Sequence, residues 1–264
     1  MYQIEENYFK NEKYLNFPFP HYKGVNAKNT FYLTGGTLNS LEQKLTFKIT
    51  FNEQLKRPEI ENFTSMNNGR KNHNILFIES KNIIVVCSGS NNLNCETINI
   101  NNPKHWDLLT NLNSIRMNGT LFYIKDKYIY LIGGFDTKSI SYNKGYELLD
   151  LNENKNWVFY NSNIDIKVST MGVVNLFDKL ILFGGFKGGE SYEKNSIEVK
   201  FENNQIQLIK ENKNVLEKGI ILYHSQMLQS FGKKFIGFDN LGRLIKFDID
   251  TEKINIYDKH LKNN

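Results

Sequence analysis

The side chains able to carry chemistry are few and scattered. Cys87 and Cys95 are the two cysteines. Neither sits in a C-x-x-C or other metal-ligand spacing, so a zinc site and a disulfide scaffold lack support, and two buried free thiols are the default expectation. Cys87 ends one apolar run and Cys95 opens the next, an arrangement that could set them facing each other across a hairpin. The five histidines, His21, His73, His105, His224 and His260, lie far apart, and no pair has metal-ligand spacing. Glycoside hydrolysis needs two carboxylates flanking the bond, and Asp136, Glu190, Glu198, Asp239 and Asp248 form no such pair in sequence. Phosphate-binding loops, dinucleotide fingerprints and G-x-S-x-G elbows are absent. The expectation is a non-catalytic chain with no cofactor and no metal.

The elements that would position these residues are strands. The chain has 264 residues, 40% apolar and 23% charged, within the range of folded globular proteins. It has 14 Tyr and 19 Phe but a single alanine, Ala27, and only 4 Pro, a composition rich in strand formers and poor in helix formers. The 38 Asn and 29 Lys against 4 Arg suggest codon bias, which discounts any motif resting on Asn or Lys alone. A net charge of +5 comes from lysines interspersed with acids rather than from a basic block, which argues against nucleic acid as a partner. Residues 1–10 (MYQIEENYFK) resemble neither a secretory signal nor a mitochondrial presequence, and no apolar stretch is long enough to span a membrane, so an intracellular, non-membrane protein is expected.

An apolar run ending in small residues recurs along the chain. It reads Phe31-Tyr32-Leu33-Thr34-Gly35-Gly36, then Val85-Val86-Cys87-Ser88-Gly89, Ile129-Tyr130-Leu131-Ile132-Gly133-Gly134 and Ile181-Leu182-Phe183-Gly184-Gly185, with a degraded copy at Phe235-Ile236-Gly237. The last glycines are 53, 45, 51 and 52 positions apart. Trp106 and Trp157, the two tryptophans, are 51 apart, and the next periods bring Leu208 and Ile256 to that place. Runs of period-two alternation follow the glycines, as in Leu45, Phe47 and Ile49 or Ile197, Val199 and Phe201, and predict half-buried strands. Each period therefore holds four short strands, which points to the blades of a β-propeller.

Glycine pairs closing an apolar strand, with a Trp following 17 to 23 residues later, resemble the kelch repeat, whose period is about fifty. The third copy matches best, with Asn118-Gly119, Gly133-Gly134, Tyr146 and Trp157; the fourth keeps Gly184-Gly185 and has Leu208 for Trp. The resemblance implies an all-β kelch-type propeller of five recognisable four-stranded blades, or six with the N-terminal segment, over residues 14–258. Residues 1–13 would be an extension and 259–264 a tail. It also implies that Trp106, Trp157 and Tyr146 fill space between blades. Lys13 to Pro18 (KYLNFP) reads as a last strand completing the ring.

Binding on such a scaffold is expected in loops. The connections between second and third strands are long in the third copy (Phe135 to Gly145) and fourth (Phe186 to Asn195), but short in the fifth. Adjacent blades would join them in one rim carrying Phe135, Lys138, Tyr142, Lys144, Phe186, Lys187, Tyr192 and Lys194. Aromatic anchors among charges are the composition of protein interfaces. The rival reading packs Phe135 and Phe186 inward as spacers. The family resemblance implies a protein-binding scaffold in a cytoplasmic, cytoskeletal or ciliary assembly. The alternatives are a propeller enzyme acting on a sugar or related small molecule, and the substrate-recognition subunit of a ubiquitin ligase.

Overall fold

The computed structural model describes residues 20–55, 57–153, 155–161, 164, 168–176, 179–189, 191–213, 216, 229–231, 234–238, 244–248, 251 and 253–257. The expected last strand at Lys13 to Pro18, the extension and the tail lie outside these residues.

Five four-stranded antiparallel sheets follow one another along the chain, each with its strands in sequence order. The first holds β1 (Tyr22–Ala27), β2 (Thr30–Gly35), β5 (Thr46–Asn52) and β6 (Arg57–Phe63), with a small hairpin, β3 (Thr37–Leu38) and β4 (Leu41–Glu42), between its second and third strands. The second holds β7 (Asn74–Ile78), β8 (Ile83–Cys87), β9 (Cys95–Asn99) and β10 (Asp107–Leu109). In the third, β11 (Thr120–Ile124) and β12 (Tyr128–Ile132) precede a hairpin of β13 (Phe135–Asp136) and β14 (Ser141–Tyr142), then β15 (Tyr146–Asp150) and β16 (Val158–Tyr160). The fourth repeats that plan with β17 (Gly172–Leu176), β18 (Lys179–Phe183), hairpin strands β19 (Phe186–Gly188) and β20 (Ser191–Tyr192), β21 (Ser196–Glu202) and β22 (Gln205–Asn212). The fifth holds β23 (Gln229–Phe231), β24 (Lys234–Phe238), β25 (Leu244–Asp248) and β26 (Lys253–Tyr257).

The abundant asparagines have a local use. Asn203 and Asn204 both adopt positive φ, at 50° and 63°, between the paired residues Glu202 and Gln205. Two consecutive left-handed residues give the tight turn whose twist matches the flanking strands, and asparagine tolerates that conformation well. Asn39 and Ser40 make the same turn between Leu38 and Leu41.

The core lies between sheets. Ala27 and Tyr32 of the first sheet pack with Ile75, Ile84, Val86 and Trp106 of the second. The second sheet's Leu76, Ile78 and Val85 meet Leu121, Ile129, Leu131 and Trp157 of the third. Phe122, Tyr130 and Ile132 then meet Val173, Leu180 and Leu182 of the fourth, whose Val174, Ile181 and Phe183 meet Ile245 and Phe247 of the fifth. Each such apolar side chain contributes about 1.5–3 kcal/mol by leaving water. Neighbours such as Ile75 and Leu76 face opposite sheets, so a middle sheet is covered on both sides. The strands that end at the small residues are therefore buried throughout, β8, β12 and β18 each from the second residue onward, while the expected alternation is kept in third strands, as in Val199 to Glu202 and Ile245 to Asp248. The architecture is all-β and propeller-like.

Successive sheets are also stitched at equivalent points just before their first strands. The Asn72 N–H donates to the His21 carbonyl at 3.1 Å, the Asn118 N–H to Asn72 at 2.8 Å and the Thr170 N–H to Asn118 at 2.7 Å. All four residues have left-handed backbones, with φ between 51° and 65°. The glycine pairs serve this entry region. Gly133 has φ +63°, and a Cβ there would lie 2.4 Å from the Val168 carbonyl oxygen on the segment entering the fourth sheet. The close approach that demands glycine is made by the next sheet's entry segment rather than by strands crowded at a channel.

The expectation of free thiols is corrected. Cys87 and Cys95 are joined by a disulfide, 4.1 Å apart at Cα. They stand directly opposite each other in the β8–β9 pairing and both are fully buried. Cross-strand register brings together what sequence spacing left unpaired.

Candidate functional site

The long connections fold as small two-stranded hairpins rather than open loops. Phe135 pairs with Tyr142 and Asp136 with Ser141, while Phe186 pairs with Tyr192 across an irregular register. Each hairpin is anchored at its base to the segment entering its own sheet. Phe135 exchanges backbone hydrogen bonds with Met117 at 2.8 and 3.0 Å, and Phe186 does the same with Ser169. Turn chemistry stiffens the first hairpin: Asp136 Oδ1 accepts the Lys138 N–H at 2.8 Å, and the Ser139 and Ser141 hydroxyls are 2.8 Å apart.

Phe135 packs edge-on against Tyr142 with ring centroids 5.2 Å apart, and Phe186 packs against Tyr192 at 5.6 Å. Phe135, Tyr142 and Phe186 are half-buried, and Tyr192 is 42% exposed. Each phenylalanine thus packs against the tyrosine of its own hairpin. Lys138, Lys144 and Lys194 are exposed. Lys187 is held by Glu193, with Nζ 2.5 Å from Oε2.

The structure brings the two hairpins into contact. A Cβ on Gly188 would stand 3.2 Å from Tyr142 Cε2 and 3.3 Å from its hydroxyl oxygen, so the fourth-sheet hairpin rests its glycine on the third-sheet tyrosine. On the other side, the Thr137 hydroxyl donates to the Ser90 carbonyl in the second sheet's connection. A continuous rim therefore runs from the second to the fourth sheet. At the tip of the third-sheet hairpin stands Ile140, 79% exposed with φ 52°. Sequence reasoning passed over it, although an isoleucine in a turn among Ser and Lys is itself the signal. The first-sheet hairpin exposes Leu38 and Leu41 from an equivalent connection.

Among the described residues, those weighed for catalysis are taken up by partners of their own. Asp136 caps its own turn, and Glu198 is bound to Lys179 at 3.2 Å. Asp248 accepts the Thr251 N–H at 3.2 Å. His105 pairs with Asp107 at the surface, 2.9 Å apart. His73 is buried with Nε2 2.7 Å from the Thr34 hydroxyl, and burial, then the charges of Arg70 and Lys23, hold its pKa well below the ordinary 6.5. Glu190, Asp239, His224 and His260 lie outside the described residues. Among the described residues no cluster of His, Cys, Asp or Glu could hold a metal ion, and no helix is long and apolar enough to cross a membrane.

Two buried ion pairs went unread in the sequence. Arg70 Nη2 lies 2.6 Å from Glu96 Oε1, and Arg116 Nε lies 2.9 Å from Glu147 Oε1, with all four side chains shielded from solvent. Each arginine comes from an entry segment and each glutamate from a third strand. The same segments supply Asn67 and Asn113, whose backbone N–H groups reach Glu96 and Glu147 at 2.6 Å. Their amides donate to the Trp106 and Trp157 carbonyls. Each indole N–H in turn reaches back to Thr64 or Thr110. The tryptophans, and Tyr146 with its hydroxyl accepting the Ile206 N–H at 3.0 Å, are structural.

No protein-family model and no curated protein matches the chain. Among solved structures, that of YjhT is similar, with a TM-score of 0.62 at 16% identity, covering 88% of this chain and 72% of that one. At that identity the likeness concerns the fold alone, and it agrees with five successive four-stranded sheets packed face upon face.

Proposed function

We propose that the chain is a kelch-type β-propeller serving as a non-catalytic protein-binding scaffold, with the hairpin rim of its third and fourth blades as the binding surface. The fifty-residue beat, the interleaved cores and the stitched entry segments support the propeller reading. One observation carries the binding reading: Gly188 seated on the Tyr142 ring merges two hairpins into one surface. That surface presents Ile140 and Tyr192 among Lys138, Lys144 and Lys194. Exposed apolar side chains ringed by lysines suit a partner with an apolar anchor and an acidic border.

The test is affinity capture with mass spectrometry, followed by direct titration of the purified main partner. Changing Tyr142, Lys144 and Tyr192 together to Ala is expected to abolish capture and weaken the titrated affinity at least tenfold, while circular dichroism shows the fold retained. Undiminished binding by the triple variant would remove the rim from the reading. An acid pair found beside an ordered sugar would favour the enzyme alternative instead.

A further inference from the structure

In the second and third sheets, the space between the entry segment and the outer strands is filled by three large side chains. These are Arg70, Glu96 and Trp106 in one case and Arg116, Glu147 and Trp157 in the other, all buried. Strand register identifies their counterparts in the fourth sheet. Glu147 stands opposite Leu131, two residues before the glycine pair, and Ile197 stands opposite Leu182, likewise two before its pair. Trp157 precedes Val158, the partner of Leu148, and so falls beside Leu149; Leu208 pairs with Val199, three residues after Ser196 as Leu149 is after Tyr146. Val168 lies two residues before Thr170, as Arg116 lies two before Asn118, and its carbonyl accepts the Gly134 N–H as that of Arg70 accepts the Gly36 N–H. Arg, Glu and Trp have become Val, Ile and Leu.

The three exchanges remove bulk and charge from one place, and a cavity of about 180 Å³ lies there, lined by Val168, Ile197 and Leu208 together. Met171 and Leu182 form more of its apolar wall. Among the described residues, the ionisable side chains lining it are Glu193 and Glu211. Asn195 ties both to the wall, its N–H donating to Glu193 at 2.9 Å and its amide to Glu211 at 2.8 Å. Glu193 is already neutralised by Lys187, whereas Glu211 is an exposed carboxylate at the edge. A chamber of roughly 150 Å³ with aliphatic walls suffices for a benzene ring. In two neighbouring repeats the corresponding space takes an indole.

We propose that this cavity is a binding site for a small aromatic ammonium compound, its ring of about indole size lying against Val168, Ile197 and Leu208 and its protonated amine directed to Glu211. The flat ring replaces the indole that the fourth repeat lacks, and the Glu211 carboxylate selects positive over negative substituents. The site goes beyond the rim reading and does not depend on it.

Isothermal titration of the whole chain with tryptamine, indole and indole-3-acetate tests the assignment. Tryptamine is expected to bind saturably, indole more weakly, and indole-3-acetate at least tenfold more weakly than tryptamine. Leu208→Trp supplies the missing ring and is expected to cut tryptamine affinity at least tenfold while raising the melting temperature. Val168→Phe fills the same space from the entry segment and should produce the same loss, so the test survives if one variant folds poorly. Glu211→Gln should weaken tryptamine and leave indole unchanged. The rim triple variant should bind tryptamine as the native chain does. Absence of saturable tryptamine binding, equal affinity for the anion, or full affinity in a folded filled variant would each overturn the proposal. Tighter binding of a tryptophan-bearing basic peptide than of tryptamine would overturn the choice of a small molecule.

Discussion

Arg116 donates its Nε–H to Glu147 Oε1 at 2.9 Å, and water reaches neither side chain. The guanidinium also donates to the Gly133 carbonyl at 3.0 Å, so one residue of the entry segment holds both the third strand and the glycine turn of its sheet. Arg116→Met would strand a buried carboxylate, and a loss of about 3–5 kcal/mol is expected in urea unfolding. The double variant Arg116→Met, Glu147→Met should lose much less than the sum of the single changes. A single-variant loss below about 1 kcal/mol would show that the carboxylate is satisfied by Asn113 and Ser114 alone.

The companion pair makes an acid-side prediction. Burial pushes the Glu96 pKa up, but the Arg70 hydrogen bond, the Asn67 N–H, the Arg70 charge and Asn68 outweigh it, and the carboxyl sits below its ordinary 4.5. A depressed carboxyl contributes stability that is complete above the unfolded value and is lost as pH falls through the folded one. Unfolding free energy should therefore drop below pH 4.5, and Glu96→Gln should flatten that drop. An unchanged slope in the variant would assign acid sensitivity to other groups.

Lys23 imposes a penalty where Glu96 contributes stability. Burial lowers the Lys23 pKa from 10.5 to about 7. Between these values the unfolded chain binds a proton that the folded chain has released, so stability rises with pH, by at most about 1.4 kcal/mol per unit. The penalty is full below about 7 and gone above 10.5. Lys23→Met should remove this alkaline gain, measured as urea midpoints from pH 7 to 10. Equal gains in both proteins would refute the assignment.

Two glycines with left-handed backbones should answer differently to alanine. At Gly133 the new methyl would collide with the Val168 carbonyl oxygen; at Gly189, φ +55°, it would meet nothing within 4 Å. Gly189→Ala is expected to cost about 1–2 kcal/mol from backbone strain alone. Gly133→Ala should cost distinctly more, because the neighbouring segment must move. Matching melting temperatures would contradict the contact between third sheet and entry segment.

Much of the fold could be read before any coordinates. The 51-residue spacing of Trp106 and Trp157 and the glycine beat report buried positions, where periodicity is strict, whereas Leu208 at the Trp place is 47% exposed. The lengths of the two hairpin connections and the facing of Cys87 and Cys95 were visible for the same reason. The ion pairs were not, because Glu147 is one acid among 28 and lies 31 residues from its arginine. A signal existed nonetheless: Thr64-x-x-Asn67-x-x-Arg70 recurs as Thr110-x-x-Asn113-x-x-Arg116 and uses two of only 4 arginines. The bond between hairpins was invisible, since Gly188 and Tyr142 belong to different repeats and meet only when the sheets are packed.

The carbonyl-to-amide links from His21 through Asn72 and Asn118 to Thr170 place no demand on side-chain identity. A histidine, two asparagines and a threonine occupy four equivalent places, and each needs only a tolerable left-handed backbone. Neighbouring modules can consequently drift apart in sequence while staying in step, because their alignment is inherited through the main chain. The fourth module thus carries Val168, Ile197 and Leu208 at the places of the arginine, glutamate and tryptophan and still joins its neighbour through the same main-chain link.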